Sequence, residues 1–94
     1  MPLARVVTFE GIDEERMAQT ARELRENDPP EGMNPTEIMV LHDREGDRAV
    51  VVVFFDDEDD YRRGDEILGA LPADETPGRR ASVGKYEVVV RRAR

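Results

Sequence analysis

The chain has no cysteine and no tryptophan, and only one histidine, among its 94 residues. Without cysteine there are no disulfides, no thiolate metal sites and no cysteine nucleophile. Small secreted domains usually depend on disulfides, so this lack favours the cytoplasm. No apolar run approaches the length needed to cross a bilayer. The first residues carry one arginine and a short apolar stretch, not the h-region of a signal peptide. Basic residues are also scarce beside acidic ones, 14 against 22, for a formal net charge of -8. Such a surface repels phosphate backbones and anionic lipid, so neither nucleic acid nor membrane is an expected partner. Thirteen of the 14 basic residues are arginine, Lys85 being the exception, which reads as a GC-rich coding bias. No GxSxG, HExxH, P-loop or dinucleotide glycine fingerprint is present, and there is no Ser-His-Asp order. No motif therefore names a reaction, and no cofactor or metal is expected.

What is present reads as one domain over residues 1–94, near the lower end of comfortable single-core size. Residues 3–9 (LARVVTF) are rich in β-branched and aromatic types and predict a strand, broken by Gly11. Asp13 is a candidate N-cap, and Glu14 and Glu15 suit the positive end of a helix dipole. Met17, Ala21 and Leu24 then recur at helical spacing to about residue 27. The segment DPPEG at 28–32 cannot continue a helix. Residues 36–43 and 48–55 predict two strands joined by a hairpin at 44–47. A second helix opens with the acidic run 56–60 and carries Tyr61, Leu68 and Leu71 at helical spacing. Residues 72–80 predict a loop, 82–90 (SVGKYEVVV) the fourth strand, and 91–94 a short, partly frayed tail. The order is βαββαβ, the split βαβ plan. Right-handed crossovers then give an α+β, ferredoxin-like domain: an antiparallel sheet ordered 4-1-3-2 with both helices on one face.

The third strand (RAVVVVFF) is apolar on both faces, whereas a strand half exposed to water alternates. Two helices cover one side of a sheet, and the other needs a cover of its own. A second copy packed sheet to sheet is the simplest one, so a homodimer is expected. The segments RVVTFEG (5–11), VLHDREGDRAVVVVFFDDEDD (40–60) and TPGRRASVGKYEVVV (76–90) carry a resemblance to the dimeric α/β-barrel superfamily. The chain resembles small bacterial members of it. The resemblance spans nearly the whole chain and implies a ferredoxin-like domain whose sheets pair in a barrel-like dimer. Members include quinol-forming monooxygenases, haem-degrading enzymes, muconolactone isomerase-like enzymes and amino-acid-responsive regulatory domains. Fold does not carry function across such a set. Haem-degrading members use a histidine with nearby asparagine and tryptophan; here there is no tryptophan, Asn27 and Asn34 lie near the long loop, and the histidine is on a strand. No catalytic residue is carried over.

In this topology Glu10, His42, Asp43, Arg48 and Arg80 fall at one pole of the sheet. An imidazole among carboxylates can act as a general base, and the bland alternative is a hairpin-end histidine with a local hydrogen bond. Tyr86, in register with Gly84 and Val88, can orient a ligand or donate a proton, but is as readily a core or interface residue. Thr8 is similarly either a pocket hydroxyl or an ordinary strand residue. The run 56–60 supplies hard oxygens but lacks calcium-loop spacing, and helix capping already accounts for it. Gly78-Arg79-Arg80 can hold a carboxylate or phosphate, or pair with surface acids. The tail arginines 91, 92 and 94 read as a solvated end. Phe54 and Phe55 lie where RNA-binding domains of this plan stack bases, but the acidity opposes RNA. Three functions follow: a homodimeric domain binding a small molecule or protein; a cofactor-free monooxygenase- or isomerase-like enzyme using His42, Tyr86 and an arginine on a small apolar substrate; and an amino-acid-binding regulatory domain, last because such domains are usually fused to another.

Overall fold

The computed structural model describes residues 1–72 and 75–93. Its elements are β1 (Leu3–Glu10), α1 (Glu14–Glu26), β2 (Glu37–Asp43), β3 (Arg48–Phe55), α2 (Glu58–Gly69) and β4 (Arg79–Glu87). The sheet runs β2-β3-β1-β4 and every neighbouring pair is antiparallel. This is the ferredoxin-like α+β order expected from the sequence. The two most apolar strands take the centre, where both edges of each find backbone partners.

Helix starts follow their side chains. Asp13 accepts hydrogen bonds from the Glu15 and Arg16 amides at 3.0 and 3.2 Å, satisfying N–H groups that have no partner inside α1. Asp57 does the same for α2, accepting from the Asp60 amide at 2.9 Å. Helix α2 therefore begins at Glu58, two residues into the acidic run. It ends at Gly69, so Leu71 lies beyond it rather than on it.

The core lies between the sheet and α2. Leu3, Val53, Phe55 and Tyr61 form its buried cluster. Phe55, fully buried, meets the Tyr61 ring edge-on at 5.7 Å between centroids. Gly64 makes this approach possible: a Cβ there would lie 2.3 Å from the Phe55 ring. Gly78 has a similar role, since a Cβ would come within 2.6 Å of the Glu10 carbonyl oxygen. In the β2–β3 turn the left-handed residue is Asp47 (φ 51°), not Gly46. Aspartate tolerates that conformation better than most side chains.

Strand β4 departs from expectation by a shift toward the N-terminus. Glu87 already faces Leu3, the first residue of β1, so Val88 to Val90 have no strand left to pair with. Val88 donates one bond to the Pro2 carbonyl at 2.9 Å, and Val89 and Val90 remain exposed. At the other end Arg79 and Arg80 join the sheet opposite Glu10 and Phe9, past a bulge that leaves Ala81 unmatched. The tail is also more engaged than a frayed end. The Arg91 guanidinium lies 4.4 Å from the centre of the Phe54 ring and pairs with Glu37. Arg94 lies outside the described residues, as do Ala73 and Asp74 of the loop before β4.

Candidate functional site

Register divides the sheet residues between two faces. Leu3, Arg5, Val7 and Phe9 of β1 share the helix side with Ala49, Val51, Val53 and Phe55 of β3. The open side carries Ala4, Val6, Thr8 and Glu10, then Arg48, Val50, Val52 and Phe54. β2 adds Met39 and Leu41 to the open side, and β4 adds Gly84 and Tyr86.

On the helix side α2 packs closely and α1 does not. A cavity of about 600 Å³ remains between the helices and the sheet. Its floor is Arg5, Val7, Phe9, Ile38, Val51 and Val53. One wall is α1, through Arg16, Gln19, Thr20, Glu23 and Leu24. Leu24 stays 40% exposed because it faces this space rather than packed core. Pro29, Pro30, Met33, Leu68, Leu71, Pro77 and Arg80 complete the lining. A volume of this size suits a small organic molecule, roughly in the 300–1,000 Å³ range of ligand pockets.

One charge stands in the apolar floor. The Arg5 side chain is 5% exposed, and its Nε donates to Asp65 Oδ1 at 2.8 Å. Guanidinium has five N–H donors in a planar fork. Its Nη groups have no further partner among the described residues. Sequence reasoning passed over Arg5, although the signal is visible: it occupies the apolar period-two face of LARVVTF. Asp65, 60 residues away, had no such signal.

The nearby tyrosine reports the same environment. Burial pushes the Tyr61 phenol above its ordinary value of 10.0, and the Asp65 carboxylate adds to the rise, while Arg5 and Lys85 oppose it. Lys85 lies 5.0 Å from the centre of the Tyr61 ring and pairs with Glu58.

The expected polar cluster is split. Glu10 pairs with Arg79 at 3.1 Å, and Asp43 with Arg48 at 3.1 Å. The Gly46 amide and then the Arg48 guanidinium hold the Asp43 carboxyl below its ordinary value of 3.8. His42 is in register with Ala49 on the helix side, whereas Glu10 and Arg48 lie on the open side. Its Nε2 is buried without a hydrogen-bond partner among the described residues. A shallower depression of about 430 Å³ is lined by Thr8, Leu41, His42, Asp43, Arg48 and Val50. Of the singled-out residues only Arg80 lines the large cavity, and its Nη2 donates to the Leu68 carbonyl at 3.2 Å. Tyr86 is 58% exposed on the open face, its ring folded over Gly84. Among the described residues no group of three or more His, Asp or Glu side chains is arranged to hold a metal ion. The acidic run is engaged within the fold: Asp57 caps α2, Glu58 pairs with Lys85, Asp59 with Arg62 and Asp60 with Arg63.

A scan against protein-family models, a search of curated proteins and a search of solved structures each return no match.

Proposed function

We propose that the chain is a homodimeric binding domain, built on the plan of the dimeric α/β-barrel superfamily, that takes a small and largely apolar molecule between its helices and its sheet. The observation that carries this reading is the cavity of about 600 Å³ over a floor of strand side chains. A filled core is the ordinary outcome of packing in a domain this size. A cavity left beside a loosely seated α1 therefore supports a ligand role. Binding rather than catalysis is favoured because neither His42 nor Tyr86 lines it. The acidic surface supports a protein without nucleic-acid partners, and the lack of cysteine supports the cytoplasm.

The dimer is part of the same reading. The open face presents Val6, Val50, Val52, Phe54, Met39 and Leu41 side by side. Met39 and Leu41 are 41% and 51% exposed. A second copy packed on this face removes that surface from water at about 10 Å between sheets. The test is sedimentation velocity on the native chain and on Leu41→Asp. Twice the chain mass for the native protein and the single mass for the variant are expected. A native monomer at all accessible concentrations overturns the dimer.

A further inference from the structure

We infer that the molecule held in the helix–sheet cavity is an organic acid, its carboxylate anchored by Arg5 and its apolar body lying along Val7, Phe9, Val51 and Leu24. The inference rests on the cavity being a binding site, as proposed above, and adds the chemical class of the ligand.

A guanidinium is among the costliest groups to place on an apolar floor. Arg5 is 95% covered there, yet its one side-chain hydrogen bond among the described residues is from Nε to Asp65, which is itself 48% exposed. That bond uses one edge of the fork and fixes its plane. The Nη groups keep their donors, and Arg5 lines the cavity. A carboxylate matches such a fork with two parallel hydrogen bonds.

The surroundings choose among anions. Glu23, Asp28 and Glu75 line the cavity beside Arg5, Arg16 and Arg80, so its own charges balance, and the chain's net charge of -8 opposes a dianion more than a monoanion. On the strand floor around Arg5, Val7, Val51 and Val53 offer no donors for the further oxygens of a phosphate, the other donors of the lining being on α1, the loops and the start of β4. A monoanion with two oxygens at one end and hydrocarbon at the other meets both conditions. The pairing with Asp65 engages Nε and leaves the Nη groups without a bond among the described residues, in a side chain that lines the cavity.

The test compares acids with their neutral isosteres on the full native chain. Isothermal titration calorimetry is run with octanoate, decanoate and 4-phenylbutyrate, then with the corresponding primary amides. Each acid is expected to bind roughly tenfold or more tighter than its amide, as for a charged hydrogen-bond pair. Arg5→Gln is expected to erase that preference, so that each acid binds no tighter than its amide. Asp65→Asn is expected to keep it, since the Nη edge survives. Equal binding of acids and amides overturns the anchor but leaves the cavity as an apolar site. Binding of none of the probes overturns both. The native-chain comparison stands even if Arg5→Gln fails to fold.

Discussion

The two faces of one sheet differ in what covers them, although β3 presents valines and a phenylalanine on both. On the helix side Phe55 and Val53 are 0% and 2% exposed, sealed by α2 through Tyr61 and Gly64. On the open side Leu41 and Tyr86 are about half exposed, and intramolecular cover comes from the Arg91 tail over Phe54. Hydrophobic composition alone thus does not say where a core lies. The partner elements decide, and within the helix side they decide again: α2 makes a core and α1 leaves a cavity.

The sharpest way to break this contrast is at Phe55. Phe55→Ala removes the largest fully buried side chain and is expected to cost about 3–5 kcal/mol in urea unfolding. Val52→Ala, on the open face, is expected to cost less in a monomeric background, because no helix of the protomer packs on that face. Gly64→Ala comes next. Its Cβ would strike the Phe55 ring, and overpacking outweighs the gain in helix propensity, for a net loss of roughly 1–2 kcal/mol. Recovery of stability in Gly64→Ala/Phe55→Leu would tie the loss to that contact.

Most of the fold was legible from sequence. Alternation, caps and the DPPEG break place β1, α1, β2, β3 and the strand order, because those signals are local. The fourth strand was misplaced because its bounds depend on another strand. Val88 to Val90 have strong strand propensity, but β1 begins only at Leu3, opposite Glu87, and offers them no edge. Arg79 and Arg80 have poor propensity, yet lie where Glu10 and Phe9 supply one. The site was less legible. His42, Tyr86 and Thr8 were singled out for their chemistry, whereas the cavity gathers residues by topology. Arg5 alone carried a readable sign, a charge in an apolar register.

Two smaller effects sharpen the picture. Tyr61 titrates above its ordinary value, so its neutral form is favoured by folding. The stability linked to it is fully present below the unfolded value near 10 and is lost as pH rises through the raised folded value. In Tyr86→Phe, where Tyr61 is the remaining tyrosine, the ultraviolet absorbance of the phenolate should rise at higher pH than in the urea-unfolded chain. Coincident titrations would show that Tyr61 is not buried against Asp65. The least effect is expected from Arg91→Ala, which removes a partly exposed pairing with Phe54 and Glu37: about 0.5–1 kcal/mol in thermal or urea unfolding.

Native mass spectrometry of the chain with decanoate, beside Leu41→Asp, addresses both faces at once. The expected result is a native dimer carrying one decanoate per protomer and a variant monomer that still carries one. That outcome assigns pairing to the open face and binding to the helix face. A native monomer, or a native dimer to which decanoate never binds, would contradict the division of roles between the two faces.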